Sequence, residues 1–309
     1  MPITYPPPTP TVTGDITSIH TLMNAPALLT RRLRTLAEHR FISDSLLTEK
    51  YPVEAGALQY QQGESIFTDR TPGSVRPGME YPLTTLGWGP TQIAEVVKWG
   101  QDVPITDESI KRMRMSPVNR ALLKLVNQMV KTIDAITIAA IASQVTQTRA
   151  ATALWTGATA VILRDILLAK ADILALNQGF NPDICVVDDI TYAYVVSDDK
   201  IANAAMRESR ANPVYTGEFP IIGGLTILPA AAGNIPFATS ALILDSTQLG
   251  GMADEDLGGP GYTGTGAAGV ETKAIRDEDN DKYKVRARRV TVPVVVEPAA
   301  AIRISGVRV

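Results

Sequence analysis

The sequence holds a single cysteine, Cys185, among 309 residues. No disulfide can form within the chain, and a metal site built from its cysteines is excluded. Histidine is nearly as scarce: His20 and His39 are the only two, thin material for acid–base catalysis or zinc ligation. No G-x-S-x-G, P-loop or H-E-x-x-H motif occurs. No apolar run reaches the roughly 18 residues that suggest a membrane span. The opening MPITYPPPTPTVTGD lacks the basic start and apolar stretch of a signal peptide, so a soluble, intracellular protein without membrane contact is expected. The net charge is only −3, so the molecule as a whole is no electrostatic nucleic-acid binder. Lysine is missing from residues 51 to 97, and Lys50 and Lys98 bracket that stretch.

What is present supports a sizeable core, with 45% hydrophobic residues in a chain long enough for two medium domains. The strongest local signal is Ser116 to Ser143, SPVNRALLKLVNQMVKTIDAITIAAIAS. Val118, Leu122, Leu125, Met129, Ile133, Ile136 and Ala140 recur at alternating steps of four and three, the spacing of one helix face. Arg120, Lys124, Asn127, Lys131 and Asp134 form a polar stripe beside it. Ser116 suits the N-cap and Pro117 the first helical position. The end from Ile136 to Ala142 is apolar on almost every side and is expected to be deeply buried. This helix reads as a structural spine.

Around it the chain divides by composition. Residues 1–26 are rich in Pro and Thr and read as an extended arm. Residues 27–41, ALLTRRLRTLAEHRF, suit a short helix with a basic face of Arg31, Arg32, Arg34 and Arg40. Residues 52–90 are punctuated by six glycines and five prolines and fit no helix. A loop of that length is unusual inside a compact domain. It reads as a projecting two-stranded arm whose apolar groups, Tyr60, Ile66, Phe67, Met79, Tyr81 and Leu83, are to be buried by another chain. Residues 91–105 read as one strand, followed by a helix start at TDESIKRM with Thr106 as N-cap. Residues 144–158 read as a connection.

From residue 159 helices and strands alternate. The spacing predicts a helix over 159–178, with Ile162, Ile166, Ala169, Ile173 and Leu176 on one face and Gly179 as its stop. A buried strand at Ile184–Val187 leads into a helix opened by Asp188 and Asp189. Short strands follow around Gly223-Gly224, and another covers Ala241 to Leu244. Residues 250–269 hold eight glycines and read as a flexible crossing. The chain closes with a strand at Val270–Arg276, a DEDND turn, the strand KYKVRARRVTVPVVV and a last strand in AAIRISGV. Lys282, Lys284, Arg286 and Arg288 alternate with Tyr283, Val285 and Ala287, which predicts one basic and one buried face.

Three constellations invite a chemical reading and lack the context for it. Gly264 to Gly269 spells G-x-G-x-x-G, but a glycine-rich stretch precedes it where a dinucleotide site needs a strand. Asp188 and Asp189 follow a strand, as catalytic carboxylates often do, yet they also suit the cap of the next helix, and no His or Lys partner is evident. Asp277, Asp279 and Asp281 imitate a calcium loop, but Lys282 and Arg288 stand where it needs Gly and Glu. Cys185, inside ICVV, reads as a small core residue. No catalytic residue, cofactor or metal is expected.

The order of elements is itself distinctive. The runs VPITDESI, PDICVVDDITYAYVVSDDKIANA, GEFPIIGGLTILPAAAGNIPFATSALILD and RARRVTVPVVVEPAAAIRISGV, with the arm, loop and spine before them, resemble the tailed-bacteriophage major capsid proteins of the Hong Kong phage type, whose fold is also found in encapsulins. The resemblance covers roughly residues 27–309. It implies an α+β fold with residues 1–51 as the N-terminal arm, 52–90 as the extended loop, 91–155 as a peripheral domain carrying the spine, 156–258 as the axial domain and 259–309 as strands returning to the peripheral domain. It also implies a non-enzymatic shell subunit of a virion capsid, assembled in the host cytoplasm into hexamers and pentamers. Its partners would be a portal, packaged double-stranded DNA contacted non-specifically, and a separate scaffolding or cement protein if any. The expected assembly residues are Tyr60, Ile66, Phe67, Arg70, Arg76, Tyr81, Arg286 and Arg288. The basic strand face is expected to meet packaged DNA or acidic residues of a neighbour, and the adjacent DEDND turn favours the neighbour. Some relatives crosslink this loop through a lysine; without one in residues 51–97, no covalent chainmail through the loop is expected. An encapsulin-type shell is the nearest alternative reading, and an α/β enzyme with its site in residues 156–258 a more distant one.

Overall fold

The computed structural model describes Met23 and residues 41–113, 116–157, 159–198, 200–201, 221–230, 236, 239–262 and 270–308. The expected arm apart from Met23, the basic face of the 27–41 helix (Arg31, Arg32, Arg34, Arg40) and the Gly264–Gly269 motif lie outside the described residues. A one-turn helix α1 (Ser43–Leu46) leads into β1 (Glu49–Val53) and β2 (Ala57–Gln61). Residues 62–90 contain no helix or strand, and β3 (Thr91–Glu95) then pairs back on β2 as an antiparallel ribbon. The single strand expected over 91–105 is therefore two, β3 and β4 (Val97–Thr106). They part at Val96, whose N–H donates to the Gly56 carbonyl at 2.9 Å. β3 serves the ribbon while β4 serves the main sheet.

Helix α2 (Asp107–Met113) follows, with Asp107 and Glu108 in its first turn, and then the spine α3 (Ser116–Gln144). Val118, Leu122, Leu125, Met129 and Ile133 are buried, as their spacing predicts. Beyond Ile133 the buried set moves to Asp134, Thr137, Ile138 and Ile141, leaving Ile136 and Ala140 only half-buried and Ala139 exposed. The cause is geometric: a four-three alternation averages 3.5 residues, whereas the helix turns every 3.6, so the stripe drifts by about 20° per heptad. The apolar C-terminal end of the spine is thus less deeply covered than its composition suggests.

The next stretch holds β5 (Thr148–Ala150), α4 (Ile162–Ala175), β6 (Ile184–Asp188), α5 (Asp189–Ser197), β7 (Ile221–Ile222), β8 (Leu225–Ala230) and β9 (Ala241–Leu244). Gly223 and Gly224, with φ of 58° and 78°, make the two-residue turn between β7 and β8. Positive φ at both central positions matches the strand twist, and glycine adopts it without strain. The chain then crosses to β10 (Gly250–Glu255), β11 (Glu271–Asp277) and β12 (Lys282–Val295), and ends in β13 (Ala301–Ser305).

β12 organises the five-stranded sheet. It pairs with β11 along 282–288, with β10 along 291–295 and with β4 along 282–291, and β1 extends the sheet beyond β10. The spine packs across β12 and β4. Gly250 and Gly251 let β10 fit between its neighbours, for a Cβ at Gly250 would stand 2.1 Å from the Val294 carbonyl oxygen and one at Gly251 2.4 Å from that of Glu49. A six-stranded sheet runs β5-β13-β9-β6-β8-β7, with every residue of β6 and β9 buried.

The last strand departs from expectation. β13 does not extend the sheet of β12; it pairs antiparallel with β9 and parallel with β5. Ala301, Ile302 and Ile304 are buried, so this strand needs cover on both faces. The slot between β5 and β9, with α4 packed over it, supplies that.

Candidate assembly surface

The segment from Ile66 to Ile93 carries the largest concentration of exposed apolar side chains among the described residues. Ile66, Phe67, Met79, Tyr81, Leu83, Leu86, Trp88 and Ile93 are all exposed, Leu83 by 87% and Trp88 by 72%. Single exposed apolar residues are ordinary, but this many on one segment is not. Arg70 and Arg76 are exposed on the same segment. An Arg76-Pro77-Gly78-Met79 turn sharpens its far part, with Gly78 at φ 83° and the Met79 N–H donating to the Arg76 carbonyl at 3.1 Å.

The segment projects from a well-tied root. Gln62 N–H donates to the Pro90 carbonyl at 3.1 Å and Gly63 N–H to that of Val296 at 3.0 Å. The Gln62 side chain reaches the Val295 carbonyl at 3.0 Å and also bonds Gln144 at the end of the spine. Glu64 N–H donates to Glu297, whose carboxyl burial pushes up. Tyr60 lies apart from the other expected contact residues. It is half-buried and packs with Tyr51, Leu58 and Val96 on the small cluster of Val53, Ala253 and Val294. Its place on the root, not the projection, gives it cover within its own chain. Leu86 and Trp88, not among the expected contact residues, are nearly as exposed as Tyr81; the sequence signal for them was apolar side chains beside Gly87 and Gly89.

The basic face of β12 is present, and its first acidic partners come from the same chain. Arg286 stands directly across from Asp102 on β4 and grips it with two bonds of 2.7 Å. Arg288 stands across from Glu271 on β11 and bonds it, while a second nitrogen donates to the Gly258 carbonyl at 2.7 Å. Lys284 and Lys282 share Asp277 at 2.9 and 3.6 Å. Opposed charges at cross-strand positions of this kind stabilise a sheet locally. The alternation within one strand cannot reveal them, since the acids lie 184 and 17 residues away in sequence. The Arg286 bond holds the Asp102 carboxyl below the usual range. The Lys284 bond, with Asn280 second, brings Asp277 down to about 2. Arg288 differs from the other three in being buried, stacked 3.6 Å above the centre of the Tyr262 ring.

Three further buried ionic groups tie elements together. Arg289, fully buried on the core side of β12, bonds Asp254 on β10 and Asp44 in α1, with Phe41 beneath its guanidinium at 5.2 Å. Asp188 caps α5, accepting from Thr191 N–H at 2.9 Å, and its other oxygen pairs with Arg308 at 2.9 Å. The converging cation that sequence lacked near Asp188 is therefore present, supplied from beyond β13. Asp188 itself is fully buried at the helix start. Cys185 is fully buried in β6, and burial pushes its thiol up to about 12, the state of an inert core residue.

The third group is Asp134. The spine's drift carries it inward, where it accepts from the Ser43 N–H at 3.0 Å and so anchors the start of α1. Burial pushes its carboxyl above the usual range, and Asp44 adds to the shift. Such a group holds its proton more tightly folded than unfolded, so the stability it contributes is present at low pH and lost as pH rises through the folded value. Asp134→Asn keeps an acceptor for Ser43 and has no charge to desolvate. The stability of the wild type relative to this variant is expected to fall as pH rises from about 3 to 7, read from urea midpoints. A difference that is flat or grows with pH would refute it.

Comparison with known proteins adds an independent line. A family model described as phage capsid protein matches residues 89–304. None of the curated proteins matches the sequence. Among solved structures, the capsid of the cyanophage P-SCSP1u is similar with 13% identity and a TM-score of 0.62, over 87% of this chain and 89% of that one. A virus-like particle from Pyrococcus furiosus is similar with 12% identity and a TM-score of 0.59, over 90% and 97%. An encapsulin complex from Synechococcus elongatus is similar with 13% identity and a TM-score of 0.54, over 84% and 85%.

Proposed function

Since the chain belongs to the phage capsid protein family, we propose that it is the repeating tile of an icosahedral phage head enclosing double-stranded DNA. It is a major capsid protein, and its chemistry is association. The observation that carries the tile reading is the projecting segment 62–90, tied at its root to the ends of β12 and the spine and exposing apolar side chains its own chain leaves uncovered. A surface of that kind finds its cover on another copy, and repetition by symmetry builds rings of hexamers and pentamers. The two sheets fit the same reading: the five-stranded sheet of β1, β4, β10, β11 and β12 with the spine would be the peripheral part, and the six-stranded sheet of β5 to β9 and β13 with α4 and α5 the axial part. A portal and a scaffolding or cement protein would complete the head in the host cytoplasm. The buried, paired state of Asp188 supports a protein without catalysis.

Electron microscopy of the purified full chain tests this. Closed shells or ring-shaped capsomers are expected, and a persistent monodisperse monomer would overturn the reading. The encapsulin fold is similar too, and the contents of particles formed in the cell separate the two: DNA for a head, a packaged enzyme for a cellular compartment.

A further inference from the structure

Building on the shell reading, we propose that a polar socket beside β12 receives the acidic turn between β11 and β12 of a second copy of the chain. The socket has a volume of about 340 Å³ and is lined by Lys98, Gln101, Asp102, Tyr262, Arg286 and Arg288. Its cations outnumber its one carboxylate. Lys98 makes no ion pair among the described residues. Arg286 is fixed by Asp102 and reaches the Tyr262 hydroxyl at 3.4 Å; Arg288 is fixed by Glu271, the Gly258 carbonyl and the Tyr262 ring. A guanidinium has five N–H donors, more than these bonds use. Both forks are therefore held in place before a partner arrives, which removes most of the ordering cost of binding one.

The turn is the complementary shape and charge. Glu278, Asp279, Asn280 and Asp281 close β11 onto β12, with Asp281 in the left-handed region at φ 44°. Lys282 and Lys284 are taken by Asp277, and Arg276, engaged by Asp107 through bonds of 2.6 and 2.7 Å, reaches Glu278 and Asp281 only at 3.5 Å. Those two side chains stay 80% and 74% exposed, and Asp279 has no ion pair among the described residues. Among the described residues the turn pairs with none of Lys98, Arg286 and Arg288, so a chain does not fill its own socket. A knob and a socket at different places on one surface make a heterologous contact, the kind that propagates from copy to copy. A nucleic-acid backbone fits less well: it needs a row of uncompensated cations, whereas Asp277 and Asp102 occupy Lys282, Lys284 and Arg286.

The test is a charge exchange in the full chain. Lys98→Glu alone and Asp279→Lys alone are each expected to raise the protein concentration needed for shell assembly by about tenfold, with unfolding midpoints unchanged. The variant carrying both changes is expected to assemble within about threefold of wild type, because the new charges meet across the contact. Assembly would be followed by light scattering and microscopy without DNA. Single variants that assemble like wild type, or a double variant as impaired as the two defects combined, overturn the proposal. Single variants that form normal empty shells but retain less DNA overturn it in favour of a polyanion site. A wild-type chain that forms no shell removes the tile reading together with this contact; a wild type that assembles, with indifferent exchanges, removes the contact alone.

Discussion

Replacing Leu83, Leu86 and Trp88 together by serine is expected to abolish assembly and leave the fold of the isolated chain intact. The three side chains are exposed in the single chain, so their loss removes little that the folded chain uses. In a shell each would be covered by a neighbour. Burying a side chain of this size is worth about 1.5–3 kcal/mol, so three of them set a contact energy of about 5–9 kcal/mol before ordering costs. Losing even about 4 kcal/mol weakens a contact roughly a thousandfold. The measurement pairs a urea melt of dilute protein, where midpoints should coincide, with sedimentation at concentrations where wild type forms particles. Particles of normal size and yield from the variant would show that the segment is no assembly element.

Arg289→Met is expected to do the opposite, damaging the chain itself by about 3–5 kcal/mol. The methionine fills part of the volume, but Asp254 and Asp44 lose the cation that compensates them inside the protein. Removing one partner of a buried pair costs more than the pair contributes, because the two carboxylates, only 24% and 23% exposed, lose their counter-charge and keep little solvent. The variant should also loosen α1, since Arg289 is what bonds it to the main sheet on that side. Adding Asp44→Asn and Asp254→Asn to Arg289→Met should recover a large part of the loss, as the charges left behind are then gone. Denaturation followed by tryptophan fluorescence reads both effects. A loss under about 1 kcal/mol, the level of an exposed pair, would mean that the arginine is not held as described. The half-buried Arg286–Asp102 pair supplies a milder comparison within the same sheet.

The spine was legible in the sequence to within one residue, because a 29-residue helix repeats its pattern often enough to dominate local noise. The strand-to-helix step at Asp188 was legible because capping is a local bond, three residues long. The projecting segment was legible as a lack: too much Gly and Pro for a helix, too few apolar residues for a core. Its contact residues were read less well, and Tyr60 shows why. Whether an aromatic ring is covered by its own chain depends on Val53, Ala253 and Val294, two of them far away in sequence.

The sequence by itself determined most of the elements and the kind of protein they build: a long one-sided helix, buried short strands and an arm-like segment that cannot cover itself. These rest on periodicity and composition, which act over a few turns or a few residues. Only the tertiary structure decided which charges remain available. Arg286, Arg288 and Arg289 are near neighbours in one strand, yet one is pinned by Asp102, one stacked on Tyr262 and one sealed against Asp254 and Asp44. Their different fates follow from strand register and from Coulomb attraction over a few ångströms of space, and chain order fixes neither distance.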